Sequence, residues 1–263
     1  MKKYLLNFII VCLLLNYSHF SFGQTDSGSV NVSFNKQYFT SYLKDTRDII
    51  LSPLHWSATQ WEIGSILVLS DVLLSTQDLK IRNFAQQNRS HFSDNFSKYV
   101  SKPWGSGAYS MATMGLFYFG GLIFKDDRSK RTALLGAKTL LISGGAVEVP
   151  KFLFQRHRPY IDNQPYQYNF DGPRFNFKNT SFPSGHAVSS FAIATIVASE
   201  YKDKPVVVII AYTLATLCGL SRINDDEHWA SDVLGGAALG WAMGKLIYKK
   251  NNWGVKKYSK LLN

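Results

Sequence analysis

The chain has 263 residues, a formal charge of +11 and two cysteines, Cys12 and Cys218. That length supports one large domain or two small ones, and the cysteine count excludes a disulfide-stapled scaffold. The basic balance asks for an anionic partner: nucleic acid, an anionic membrane surface or a phosphorylated substrate.

From the start of the chain, Lys2 and Lys3 precede an apolar run from Leu5 to Leu15, and Ser21-Phe22-Gly23 closes it with small residues. This order reads as a secretory signal peptide over residues 1–23, with the mature chain beginning near Gln24. Export removes nucleic acid from the partners and leaves Cys218 as a lone thiol, read as a core residue. Residues 24–57 form an N-terminal leader region: Thr25 to Asn35 is polar, a helix is expected over Gln37–Leu51, and Pro53 breaks it. Helical stretches then follow over Gln60–Leu74, Ile81–Val100, Ser106–Phe124, Ser129–Arg156, His186–Tyr201, Pro205–Leu220 and His228–Lys250. No hairpin signal or sustained period-two alternation interrupts them, so the fold is expected to be all-α. Residues 58–250 are taken as one helical domain and 251–263 as a basic tail; from Lys245 onward there are six lysines and no acids, read as a solvated tail or, more sharply, as one drawn to anionic lipid.

Ser106–Phe124 carries no charge over nineteen residues, enough to cross a bilayer. The mean hydropathy of −0.09 is low for a protein of six spans, so composition leaves open a membrane-embedded bundle and a soluble one. The run Gly235-Gly236-Ala237-Ala238-Leu239-Gly240 suits close helix contact in either solvent.

Three clusters carry chemistry. In "KFLFQRHRP", Lys151 and Arg158 are seven residues apart, nearly two helical turns, which puts both cations on one face at a helix end. In "SFPSGHAVSSF", Ser184, Gly185 and His186 stand where a turn becomes an apolar helix, and such a terminus offers unpaired backbone N–H groups to an anion. In "SRINDDEHWASD", Arg222 is followed by His228 and Asp232, four apart and one turn from each other on a helix. A carboxylate so placed can fix an imidazole tautomer and leave the other nitrogen free to attack or take a proton. Together these clusters supply three cations for phosphate oxygens, a helix mouth, a hydroxyl and two histidines for attack and leaving-group protonation.

Lys151-x6-Arg158-Pro159, Pro183-Ser184-Gly185-His186 and Ser221-Arg222-x5-His228-x3-Asp232 resemble, in full and in order, the three-part signature of the type 2 phosphatidic acid phosphatase (PAP2) superfamily. That superfamily includes class A acid phosphatases and vanadium-dependent haloperoxidases. The resemblance implies a helical bundle of about six core helices, here with additional N-terminal helices, and a reaction that needs no metal or other cofactor. It implies catalysis by His228, which attacks phosphorus, by Asp232, which orients it, and by His186, which protonates the leaving oxygen. Lys151, Arg158, Ser184, Gly185 and Arg222 would bind the substrate phosphate. The expected protein is a cell-envelope phosphatase, periplasmic or membrane-associated with a periplasm-facing site. Its substrate is a phosphomonoester or diphosphate, of a lipid such as phosphatidate, phosphatidylglycerol phosphate or an isoprenyl diphosphate. A broad-specificity periplasmic acid phosphatase acting on small-molecule phosphates and a vanadium haloperoxidase are the alternatives. Arg156 and His157 are read as flanking electrostatics or packing. Asp225, Asp226 and Glu227 are read as caps and dipole partners of the helix that follows.

Overall fold

The computed structural model describes residues 34–162, 164–173 and 179–259, with side chains described as far as Asn251. The leader peptide expected over 1–23 lies outside the described residues. Helices α1 (Lys36–Ile50), α2 (Ala58–Ser75), α3 (Asp78–Gln87), α4 (His91–Phe96), α5 (Gly107–Ile123), α6 (Asp127–Phe154), α7 (Gly185–Glu200), α8 (Pro205–Asn224) and α9 (Ala230–Ser259) follow in order. Among the described residues the only β pairing is one isolated bridge, Arg156 with Phe170, so the all-α expectation holds.

Two boundaries differ from the periodicity. The single helix expected over Ile81–Val100 is cut in two. Asn88 turns its side-chain amide back onto the Phe84 carbonyl (2.8 Å), and Ser90 and Ser93 form a reciprocal cap that starts α4 afresh. Ser97–Ser101 then forms a π turn and Lys102–Gly105 a 3₁₀ turn leading to α5. At the other end, α9 continues past position 250 to Ser259, since nothing in that stretch stops a helix.

Helix α7 is the centre of the bundle. Ala187, Val188, Ala192 and Ile196 on it are at most 1% exposed, and α6, α8 and α9 pack around it. Small residues allow that closeness. A Cβ at Gly244 would lie 2.7 Å from Thr195 Cβ, and one at Gly236 would lie 3.0 Å from Ala187 Cβ, so glycine is needed at both α9 positions for the helices to touch. The outside is apolar. Trp61, Ile66, Leu69 and Leu73 on α2, Leu116, Phe119 and Ile123 on α5, and Val206, Ile209 and Ile210 on α8 are all exposed. Helices α6 and α8 are long and apolar enough to cross a membrane.

Because α6, α7, α8 and α9 succeed one another through short turns or a returning strap, neighbours run antiparallel. The C-termini of α6 and α8 and the N-termini of α7 and α9 therefore meet at one end of the bundle. Gln155 ends α6 in the left-handed region (φ 41°), with its N–H on the Lys151 carbonyl (3.0 Å). Residues 156–162, 164–173 and 179–184 then lie across the end of the bundle ahead of α7, with Arg156 and Ser181 bonded to Asp232 of α9. Asp226, also left-handed (φ 61°), lets the chain turn sharply from α8 towards α9.

Candidate active site

Each residue singled out by the three clusters lies at this end. Lys151 stands on the last turn of α6, its Nζ 3.6 Å from where a Cβ on Gly185 would be, so the ammonium lies beside the start of α7. Ser184 occupies the cap position of α7 and donates its backbone N–H to the Asp232 carbonyl (2.9 Å), which ties the start of α7 to α9. Its side chain makes no cap hydrogen bond, and its Oγ is buried without a partner. Arg222, 2% exposed, lies near the end of α8, and His228, 5% exposed, lies just before α9. The backbone N–H groups of Glu227 and His228 both donate to the Arg222 carbonyl (3.0 and 3.3 Å), and Glu227 pairs with Arg158, which brings Arg158, Arg222 and His228 together at this end.

The His228–Asp232 pair forms as the spacing implies, with Nδ1 3.7 Å from Oδ2. At that distance the imidazole faces the carboxylate without a hydrogen bond. The reason is that Asp232, fully buried, already accepts from the Trp229 backbone N–H (2.8 Å) and the Ser181 hydroxyl (2.5 Å) on Oδ2, and from Arg156 Nη1 (2.7 Å) on Oδ1. His228 Nδ1 is left buried and without a hydrogen bond. Burial holds the His228 imidazole below the ordinary histidine range, and the attraction of Asp232 opposes this without overcoming it.

The acidic run ahead of α9 does not cap that helix. Asp225 pairs with Arg222 (2.5 Å), Asp226 with Arg82 (2.6 Å), and Glu227 with Arg158. Lys151 likewise pairs with Glu148 (2.8 Å). Each of the three cations has a carboxylate partner, which offsets the repulsion between like charges clustered this closely. Glu148 and Glu227 are partly exposed and can swing away, whereas Arg222 is held by Ser221 as well.

Several residues escape the sequence pattern. Arg156 is 2% exposed and does far more than flank: it donates to Asp78 Oδ2 (2.8 Å), Asp232 Oδ1 (2.7 Å), the Ser231 hydroxyl (2.7 Å) and the Gln167 carbonyl. Asp78, on the first turn of α3, also accepts from the Ser231 backbone N–H (2.9 Å) at the start of α9. Burial pushes the Asp78 carboxyl up to about 6, with Arg156 and Ser231 pulling it back. The 3₁₀ turn that carries Lys102 packs against the start of α7 at Gly105, where a Cβ would fall 2.8 Å from His186 Cβ. Arg156 was visible as a charge in the first cluster. Asp78 and Lys102 sit in unpatterned sequence far from the motifs, and only the packing of the N-terminal half against this end reveals them.

This all-helical bundle, with cations gathered at a helix mouth beside two histidines, matches known proteins in the same stretch of chain. Residues 132–256 match the model of the PAP2 superfamily. It is 40% identical over 110 residues to a lipid A 1-phosphatase of Porphyromonas gingivalis, a match covering 41% of this chain and 21% of that protein. It is 32% identical over 127 residues to the decaprenylphosphoryl-5-phosphoribose phosphatase of Mycobacterium tuberculosis, covering 48% of this chain and 65% of the relative. Both matches span less than two thirds of the relatives' own lengths. A solved transmembrane PAP2-type phosphatidylglycerolphosphate phosphatase of Bacillus subtilis aligns over 82% of this chain and 94% of its own, at 20% identity and a TM-score of 0.49.

Proposed function

We propose that this protein is a membrane-embedded phosphatase of the cell envelope that removes a phosphate from a phosphorylated lipid through a phosphohistidine on His228. The observation that carries the reading is the gathering of Lys151, Arg158, Arg222, His186 and His228 around the uncapped start of α7, where the buried Ser184 hydroxyl has no partner. That is the donor set a tetrahedral oxyanion requires.

In the reaction, the substrate phosphate displaces Glu227 and Glu148 and takes Arg158, Lys151 and Arg222 as partners. The Ser184 hydroxyl and the first backbone N–H groups of α7 complete the cradle. The Nδ1 side of His228 faces Asp232, so Nε2 attacks phosphorus and forms the N–P bond as the P–O bond to the leaving group breaks. His186 gives its proton to the departing oxygen, and Asp232 offsets the positive charge that develops on His228. In the second half, His186 takes a proton from a water whose oxygen attacks phosphorus. The N–P bond breaks, and free phosphate and neutral His228 are restored.

The exposed apolar surface of α2, α5 and α8 supports a lipid rather than a soluble substrate, because a monomer in water seldom leaves so wide a belt uncovered. The relatives named for lipid A and decaprenylphosphoryl substrates support the same choice. With residues 1–23 directing export, the site end would face the periplasmic side. The test is phosphate release by purified protein in detergent, assayed against lipid phosphates, isoprenyl diphosphates and a soluble aryl phosphate. Release from the lipids and not the aryl phosphate supports the reading; preference for the aryl phosphate favours the broad acid phosphatase.

A further inference from the structure

The buried group behind His228 is larger than a single carboxylate. Asp78 from α3, Arg156 from beyond α6, Ser181 from the strap and Ser231 with Asp232 from α9 form one continuous set of hydrogen-bonded charges. Asp78, Ser181, Ser231 and Asp232 are fully buried and Arg156 nearly so. A buried ion-pair triad is a poor source of net stability, because the desolvation of its charges consumes much of their attraction. Its placement directly behind the attacking imidazole gives it another use.

We propose that Asp78 and Arg156 are positioning residues of the reaction, which fix Asp232 behind His228 and set how much negative charge the imidazole meets. This rests on the phosphatase reading above. Arg156 takes Oδ1 of Asp232, which turns Oδ2 towards the His228 side. Asp78 holds Arg156 through Oδ2 and binds the first turn of α9 through Oδ1, so the helix carrying Asp232 is held by the same residue. One cation between two carboxylates leaves the set with a single negative charge, which balances the positive charge that His228 acquires when it attacks. The other charges acting on the set and on His228 are Asp71 on α2, Arg158 on the strap and His186 on α7.

The signs are opposite for the two residues. Loss of the Arg156 charge favours imidazolium at His228 and moves the acid limb of the kcat profile to higher pH; loss of the Asp78 charge leaves Arg156 less balanced and moves it to lower pH. The experiment measures phosphate release against pH for wild type, Asp78→Asn, Arg156→Gln and the milder Arg156→Lys, each checked for folding by thermal unfolding. Expected are a fall in kcat of about tenfold or more with KM within about threefold, and limbs displaced in opposite directions by up to about one unit. In an Asp232→Asn background, Asp78→Asn should cost less than about twofold more, since it acts through the residue already lost. A folded Asp78→Asn with wild-type kcat and an unmoved limb overturns the proposal, as do limbs that move together. Titration of the His228 ring by NMR on histidine-labelled protein, assigned with His228→Gln, reads the same opposite displacements without turnover. If wild type releases no phosphate from any substrate the phosphatase reading fails, while the NMR titration still decides this one.

Discussion

Two buried charged sites in this molecule differ in one respect that separates structure from chemistry. In the middle of α6, the ammonium of Lys138 is fully buried and directs its three N–H groups at three acceptors: Ser41 (2.6 Å), Asp45 (2.8 Å) and Asn251 (3.1 Å). The rings of Tyr38 and Tyr42 lie 5.3 and 5.5 Å from it. Nothing there is left to bind, and the cluster pins α1, α6 and α9 together. At the site end, by contrast, the Ser184 hydroxyl and His228 Nδ1 are buried without hydrogen bonds, and Lys151 and Arg158 rest on carboxylates that can move aside. A buried charge whose partners are complete holds a fold, whereas one left incomplete awaits a ligand.

Breaking each site should therefore fail in a different currency. His228→Ala should reduce turnover by at least about a thousandfold, while phosphate or vanadate still binds and the melting temperature stays close to wild type. Lys138→Ala should do the reverse, destabilising the fold by about 3–5 kcal/mol as Asp45 is stranded, read by chemical denaturation, with KM unchanged in the fraction that remains folded. Ser184→Ala should lower kcat/KM about tenfold, the equivalent of about 1.4 kcal/mol for one hydrogen bond to a charged group, without changing stability, because that hydroxyl has no partner to lose. Smaller still, Glu227→Gln should lower KM a few-fold by weakening the carboxylate that competes for Arg158; a raised KM would mean that Glu227 helps hold the substrate. The slightest effect is on pH. Since burial keeps His228 neutral below its ordinary range, the imidazole stays able to attack as pH falls, and the acid limb of kcat/KM should lie below about 6.5.

The same contrast shows what a linear reading can reach. Lys151, Arg158, Ser184, Gly185, His186, Arg222, His228 and Asp232 are legible because they fall, in order, on the three-part signature the sequence resembles, at spacings that suit helical turns and a helix start. The helices were legible for the same reason, save where Asn88 and Ser90 broke one in two through side-chain bonds that apolar periodicity does not register. The acidic run at Asp225 to Glu227 misled, because a position just ahead of a helix suggests capping, while its real partners, Arg222, Arg82 and Arg158, include two distant in sequence.

By itself, then, the sequence determined an all-helical chain, since helical periods span only a few residues, and singled out eight candidate groups through the signature they resemble. Only the tertiary structure decided that Arg156 stands between Asp78 and Asp232, that Asp232 gives its oxygens to Arg156, Ser181 and Trp229 rather than to His228, and that Gly105 packs against His186. Those outcomes depend on which helix ends meet, and hydrogen bonds between residues as far apart as 78 and 231 are fixed by packing, not by any spacing along the chain.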